Sequence, residues 1–503
     1  MIPSLTREDL KIIGYNLGRV GNLFSVLMLV PTIVAAAYKE FDIIPHFIAA
    51  SAVAFILSNL AIYFFHTKNG MELKHAVCVA ALVWIFGMLL TAVPLWSTRS
   101  TGSYLDANFD TMSGFTTTGL TLIPDIDHLP HSINFFRHYL QFIGGIGIIV
   151  VTITVLAKSE MGSVLAFKAE AREEGIRPSV VRTSRMILGI AITFMVLGAV
   201  LLAIVGISEG MNVGTSIFDG VAHSMSGFAT GGFSTHSQSI LFYHSVWYEV
   251  VALILIIVGG FNFAFHYTVL SGKRSEVFKN IEIKTFFITL MLSTLIIAAA
   301  LLFFNVYSSP DTLFRKAFFQ AASAHTGTGF ATVHPLQMSG VWPNLPQMMI
   351  AMIMLLGACA NSTCGGIKAI RIGILVKAFF NEIKKTLSPK SAFVREKYHH
   401  ISDTPLTDTI ARGAALIAIG YIFLFFIGTA VTMLYGYGAT DSMYDTSSAL
   451  GNVGLSSGVT SPAMPPGLKV TYIFLMWAGR LEIMAVLALI GFVILALRRG
   501  IKR

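Results

Sequence analysis

Phe115-Thr116-Thr117-Thr118-Gly119-Leu120-Thr121 is a small, polar, uncharged stretch set between apolar runs. Three looser copies follow it: Phe228-Ala229-Thr230-Gly231-Gly232-Phe233-Ser234, His325-Thr326-Gly327-Thr328-Gly329-Phe330-Ala331 and Leu450-Gly451-Asn452-Val453-Gly454-Leu455-Ser456. Position five is glycine and position six a large apolar residue in all four. A single stretch of this kind reads most simply as a tight turn that packs helices together. Four copies in register predict an object with four-fold internal repetition.

The surrounding composition belongs to a membrane protein. The 503 residues are 54% hydrophobic and 12% charged, and the mean hydropathy is +0.72. Uncharged runs such as Phe286 to Phe304 and Ala414 to Leu434 are long enough to cross a hydrocarbon layer of ~30 Å at about 1.5 Å per residue. The three cysteines, Cys78, Cys359 and Cys364, give neither a disulfide framework nor a zinc spacing. The N-terminus has no basic head, short apolar core or small-residue cleavage site, and reads as retained, with Ile12 onward entering the first span.

The net charge of +9 raises the possibility of nucleic-acid binding, but the basic residues fall in alternate loops. The side carrying the four repeats holds Lys39, Arg99, Arg137, Arg315, Lys316 and Lys469, and nearly all the other basic residues lie opposite. The positive-inside rule then places the repeats outside and both termini in the cytoplasm. The basic stretches 158–185 and 377–412 and the tail 498–503 read first as topology charge, and together as a surface for acidic lipid or a cytoplasmic partner.

An all-α polytopic membrane protein with about ten transmembrane helices is the fold class this pattern predicts. Two spans, about Tyr15 to Tyr38 and about Asp42 to Phe65, fill residues 1–73. Four helix–pore-loop–helix repeats then occupy 74–158, 159–272, 273–390 and 391–503. Their second spans are expected at about Phe135 to Leu156, Val246 to Leu270, Met348 to Phe380 and Val470 to Leu497. Before each loop a short amphipathic helix begins near Asp106, Ser216, Asp311 or Asp441, residue types that cap helix N-termini. After each loop a small pair recurs: Gly144-Gly145, Gly259-Gly260, Gly357-Ala358 and Gly479-Arg480, at 25, 27, 28 and 25 residues from the loop glycine. Small pairs in membrane helices ordinarily mark close helix packing.

Non-helical backbone at membrane depth is tolerated only where it is buried in protein or lines a water-filled path. Four such loops predict a path. Glycine at positions 119, 232, 329 and 454 lets successive carbonyls turn inward and replace an ion's hydration shell. Short helices aiming their C-terminal ends at the axis would favour a cation. No ring of lysine or arginine lines the loops, which argues against an anion.

On these residues the chain resembles the TrkH/TrkG and KtrB potassium-uptake proteins. Besides the loops, the resemblance is carried by Gln141-Phe142-Ile143-Gly144-Gly145-Ile146-Gly147, by Gly357-Ala358-Cys359-Ala360-Asn361-Ser362-Thr363-Cys364-Gly365-Gly366-Ile367-Lys368, and by Gly479-Arg480-Leu481-Glu482. The two extra N-terminal spans resemble TrkH or TrkG more than KtrB. The resemblance implies a potassium filter formed by Thr117, Thr118, Gly119, Thr230, Gly231, Gly232, Gly327, Thr328, Gly329, Asn452, Val453 and Gly454. It also implies an intramembrane gate loop that includes Gly357, Asn361, Ser362, Thr363, Gly365 and Gly366, with Arg480 protruding below the filter and paired with Glu482. A homodimer and a TrkA-type cytoplasmic ring of nucleotide-binding subunits are implied as well. The chain departs from the family at Cys364, where a glycine is expected, and at His325, where two other copies carry phenylalanine.

No paired-carboxylate, nucleophile or phosphate-cradling constellation points to an enzyme, and potassium is expected as cargo with no organic cofactor. A symporter coupled to sodium or protons is the alternative, for which Glu249 and Glu482 are the acids singled out in or near the spans. A membrane scaffold or receptor is a third class, and would bind no ion at the loops. His223, His325 and His334 near the outer mouth read as packed or solvated side chains before they read as pH sensors.

Overall fold

The computed structural model describes residues 6–147, 180–389 and 396–499. The expected linker residues 158–179 and tail residues 500–503 lie outside them. Apart from one two-stranded hairpin, Lys397–His400 paired with Ser402–Pro405, the described elements are helices.

Among the described residues six helices are long and apolar enough to cross a membrane: 7–37, 44–64, 73–97, 181–208, 281–303 and 408–434. Two further pairs, Val246–Gly259 with Phe263–Leu270 and Pro466–Arg480 with Met484–Ile494, pass that test together but bend by 101° and 113°. Side chains such as Ile33, Tyr63, Phe303 and Leu434 are exposed on these helices, as a lipid-facing surface requires. The first span begins at Arg7, earlier than hydropathy indicates, because Thr6 and Asp9 form a capping box. The buried Asp9 is neutralised by Lys74 Nζ at 2.8 Å and faces His75 Nε2 at 2.5 Å.

In the first, second and fourth units the second helix is not the straight span expected, and in the third it is interrupted around residues 357–366 as the resemblance implies. In the first unit His131–Ile146 ends at Gly147, whose φ is 99°, and residues 148–179 lie outside the described ones. The second unit turns at Gly260 to Asn262, where the Asn262 side chain accepts from Ala264 N and starts a new helix. In the third, Asn344–Leu355 and Ala369–Leu387 are separated by 13 residues without regular structure. The fourth turns after Arg480, where Glu482 and Ile483 adopt φ of 51° and 67°. The small pairs thus mark the helix breaks.

The same glycines also pack as expected of small residues. A Cβ on Gly144, Gly259 or Gly479 would stand 1.9, 2.1 or 1.9 Å from the carbonyl oxygen of Phe115, Phe228 or Leu450, the first residue of its own unit's loop. In these three units the second helix therefore lies directly against its loop.

The short helices run Tyr104–Phe115, Val213–Phe228, Pro310–His325 and Ala439–Gly451. Ser103, Asn212 and Ser309 cap the first three through their side chains, and Gly438 begins the fourth without a side-chain cap. The capping positions thus fall two to four residues before Asp106, Ser216, Asp311 and Asp441, which lie within the first helical turns. Asp106 instead binds Lys469 Nζ at 2.5 Å, tying the first unit's short helix to the fourth unit.

Candidate functional site

The four loops share one backbone course. Position three is left-handed in each, with φ of 55° at Thr117, 50° at Thr230, 69° at Gly327 and 54° at Asn452. Position five is left-handed again, at 89° for Gly119, 79° for Gly232, 84° for Gly329 and 96° for Gly454. The position-five glycines were legible in the sequence. The strain at position three was not, because threonine occupies it twice.

Neighbouring loops then close into a ring. A Cβ on Gly119 would lie 2.4 Å from the Gly231 oxygen, one on Gly232 1.9 Å from the Thr328 oxygen, and one on Gly329 1.8 Å from the Val453 oxygen. The circuit returns to its start, with a Cβ on Gly454 falling 2.2 Å from the Thr118 oxygen. Glycine is required at position five twice over, by backbone angle and by the next loop's carbonyl.

Side chains brace this ring from behind. Gln141 donates to the Gly231 oxygen at 2.5 Å and accepts from Ser226 Oγ and Phe233 N at 2.8 and 3.2 Å. A side chain at Gly231 would collide with it, since a Cβ there lies 2.4 Å from the Gln141 amide carbon. Asn452 joins the fourth loop to the first, donating to Thr118 Oγ1 at 3.0 Å and to the Met476 oxygen at 2.8 Å.

A second repeated contact lies on the side facing away from the helix breaks. Five residues before each loop stand Asp110, His223, Gln320 and Asp445. Asp110 accepts from Thr121 at 2.5 Å, His223 meets Ser234 at 2.9 Å, and Asp445 accepts from Ser456 at 2.7 Å, each partner being position seven of its loop. In the third unit position seven is Ala331, and neither amide atom of the buried Gln320 has a partner among the described residues. Arg137 completes the first of these contacts, with Nε 2.9 Å from Asp110 Oδ2 and both side chains buried. Asp445 also accepts from Ser457 and Thr460. A cavity of about 200 Å³ opens above the ring, lined by the four position-five glycines and by Arg137, His236 and Gln320 among others.

At the rim of that cavity His236 lies between two carboxylates, Asp127 Oδ1 at 3.1 Å and Asp219 Oδ2 at 3.3 Å. Burial pulls the imidazole down, but the hydrogen bonds and charges of Asp219 and Asp127 prevail and raise it above its ordinary value. Of the histidines singled out by sequence, His223 and His325 are buried and hydrogen-bonded, and His334 caps a short helix through Leu336 N. His236 was missed because its partners come from 17 and 109 residues away.

On the opposite side of the ring, the interruption in the third unit crosses beneath the loops. Thr363 is the centre of the contact. Its hydroxyl lies 3.0 Å from Thr230 Oγ1 and 2.9 Å from the Gly259 oxygen, and its carbonyl accepts from Thr117 Oγ1 at 3.3 Å. A Cβ on Gly327 would sit 3.4 Å from Cys364 Cβ, and one on Gly365 would sit 2.4 Å from Asn452 Oδ1. One segment therefore touches all four loops.

Arg480 stands beside it. Its guanidinium donates to the carbonyl oxygen of Thr363, to Thr117 Oγ1 at 3.3 Å, and to the oxygens of Gly144 and Gly145 at 2.6 and 3.2 Å. Glu482, expected beside it, follows the helix break and binds Arg371 on the helix that begins after the interruption. The turn at residue 481 separates the two side chains, so the fourth unit grips the third at two points. Lys368 is buried and folds back to donate to the Cys364 oxygen. Asn361, Ser362 and Gly366 complete the segment: the Asn361 oxygen accepts from Phe263 N at 3.4 Å, Ser362 donates to the Cys359 oxygen at 2.6 Å, and Gly366 has a φ of 73°.

The arrangement offers carbonyl and hydroxyl oxygens in a ring, braced behind by Gln141 and Asn452. Among the described residues no group of three or more His, Cys, Asp or Glu side chains is placed to hold a metal ion. An ion transported through this ring would meet neutral oxygen dipoles.

The chain is similar to known cation transport proteins. The family model for TrkH, described as a cation transport protein, matches residues 43–495. An uncharacterized cation transporter of Methanocaldococcus jannaschii is 34% identical over 97% of both chains. The Trk system potassium uptake proteins TrkG and TrkH of Escherichia coli are 28% and 29% identical, covering 96% and 93% of this chain and 98% and 95% of their own. The crystal structure of the potassium transporter TrkH from Vibrio parahaemolyticus superposes with a TM-score of 0.82 at 26% identity, covering 96% of this chain and 99% of that one.

Proposed function

The chain belongs to the TrkH family of cation transport proteins, and on that premise we propose that it takes up potassium through a pore whose narrowest part is the ring of four loops. The observation that carries this reading is the closed circuit in which the oxygens of Gly231, Thr328, Val453 and Thr118 abut Gly119, Gly232, Gly329 and Gly454. Thr117, Thr230, Gly327 and Asn452 are left-handed in each loop, and in this reading that turn lets loop carbonyls face the pore. An ion entering from the cavity exchanges water for those oxygens. The C-terminal ends of the four short helices point the negative ends of their dipoles toward it. A membrane potential negative inside supplies about 2.3 kcal/mol per charge per 100 mV.

In the same reading the segment from Gly357 to Gly366 is a gate, and the conformation described here is closed, with Thr363 under the ring and Arg480 adding positive charge where a cation would leave. The units at 74–158, 159–272, 273–390 and 391–503 share the filter, whereas the third and fourth carry the control. Both termini face the cytoplasm, where basic linkers offer a surface for acidic lipid and for a TrkA-type nucleotide-binding ring, and two chains form a homodimer. The nucleotide-binding ring and the homodimer rest on likeness to the family.

Coupled symport is the competing mechanism. Its candidate acids are engaged: Glu249 lies 3.3 Å from Lys316 Nζ and 3.3 Å from Arg315 Nε, and Glu482 binds Arg371. Proteoliposomes holding the protein together with its regulatory ring, under an imposed potassium gradient, test the choice. Potassium and rubidium flux whose reversal potential ignores sodium and pH is expected; no flux would end the proposal, and a reversal potential that tracks sodium or protons would replace the pore with a symporter.

A further inference from the structure

Glu282 lies one residue inside the first helix of the third unit, at the end where Asn280 caps it, and it is 1% exposed. An acid so buried beside apolar spans is costly and calls for partners. Two of them come from different parts of the chain. Glu282 Oε1 accepts the backbone N–H of Ala360, inside the interrupting segment, at 2.5 Å. Glu282 Oε2 faces Nδ1 of His400, on the hairpin, at 3.7 Å.

The hairpin is itself anchored around this point. His400 Nδ1 lies 3.3 Å from the Asn280 cap oxygen. Its neighbour His399 lies 3.1 Å from both oxygens of Glu276 and 2.6 Å from Asp403 Oδ1. Three residues beyond Ala360 comes Thr363, the residue beneath the ring. A short chain of contacts thus runs from the hairpin through one carboxylate to the segment that crosses the loops.

We infer that Glu282 is a positioning residue that latches the gate segment in its closed place, and that the hairpin of residues 397–405 is the handle through which an event outside the membrane releases it. The inference rests on the gate reading proposed for residues 357–366. A carboxylate bound to a backbone N–H is a strong, charge-assisted contact. Displacing the hairpin withdraws His400 from Glu282 and opens that acid to water, which competes with Ala360 for its oxygen. The latch joins the hairpin to the gate segment, and coupling between distant sites requires both to take a second arrangement when it is released.

The full-length protein in proteoliposomes tests this by rubidium flux measured without any added partner. Glu282→Gln is expected to raise the basal flux about tenfold, the effect of losing one charge-assisted hydrogen bond, and Glu282→Asp to raise it less. His400→Phe is expected to raise it as well, and the double variant to leak no more than Glu282→Gln, because both act on one contact. Wild-type flux in Glu282→Gln would overturn the latch, and multiplied effects in the double variant would overturn the role of His400. Potassium-over-sodium selectivity is expected to stay unchanged in every variant; its loss together with the leak would show general loosening and overturn the inference. Arg480→Ala, run alongside, separates the two levels. If it leaks while Glu282→Gln does not, the latch alone fails, and if neither leaks the gate reading falls and the inference with it.

Discussion

The carbonyl oxygen of Thr118 in the first unit lies 2.2 Å from where a side chain on Gly454 in the fourth would begin, and this contact closes the ring of loops. Each loop is thereby held by its neighbour as well as by its own short helix. Disturbance at one glycine is transmitted to the carbonyl of the next unit.

Gly232→Ser tests that transmission. The residue has a φ of 79°, and its Cβ would fall 1.9 Å from the Thr328 oxygen, a backbone atom unable to swing aside. Strain at such a position is on the order of 1–3 kcal/mol before the collision is counted. The third loop's carbonyl must move, so potassium-over-sodium permeability should drop by about tenfold or more. Permeability ratios from reversal potentials check this, and an unchanged ratio would remove the ring from the filter assignment.

Arg480→Ala removes the guanidinium shared by Thr363, Thr117, Gly144 and Gly145. Hydrogen bonds to a charged group contribute about 1.5–3 kcal/mol each, so the closed arrangement should lose enough to raise basal rubidium flux at least tenfold. Arg480→Lys, with a point charge in place of a planar fork, should fall between the two. Flux that stays at the wild-type level in both would make Arg480 a packing residue.

The ring of loops was legible because Gly119, Gly232, Gly329 and Gly454 recur with an apolar residue after each, and such repetition survives divergence at the other positions. The helix breaks were only half legible. Gly144-Gly145, Gly259-Gly260 and Gly479-Arg480 announce close packing, but hydropathy continues across the turns and hides the bends of 101° and 113°. Partners were the least legible. Glu482 and Arg480 are two residues apart in sequence, yet the turn between them sends one to Arg371 and the other to Thr363. Gln141 was visible as part of a motif, whereas its bond to Gly231, 90 residues away, depends on how the first unit sits against the second.

His236 gives the structure a pH dependence. Its imidazole is raised above the ordinary 6.5 by Asp219 and Asp127, against the pull of burial. A raised histidine contributes stability that is complete below 6.5 and is lost as pH rises through its folded value. Asp127, held below its usual range by Ser237 and His236 despite burial, keeps its charge throughout. The melting temperature of the purified protein should therefore fall as pH is raised above 6.5, and His236→Gln should flatten that part of the profile. A profile that is the same in wild type and variant would assign the pH dependence elsewhere.

Ala331→Ser should stabilise the protein. In three units the residue five places before the loop bonds a hydroxyl at position seven, as Asp110 does with Thr121, His223 with Ser234 and Asp445 with Ser456. The third unit keeps the first half of that contact in Gln320 and lacks the second, leaving both amide atoms without a partner among the described residues. The loop backbones match in left-handed φ at positions three and five, so a serine at 331 would place its hydroxyl where the other three stand. A buried hydrogen bond gained at a site already desolvated contributes about 1 kcal/mol. For a protein of this size the measurable outcome is a small rise in melting temperature, which Gln320→Leu should abolish in the double variant. A serine that lowers the melting temperature, or raises it equally without Gln320, would show that the third loop departs from the others at position seven.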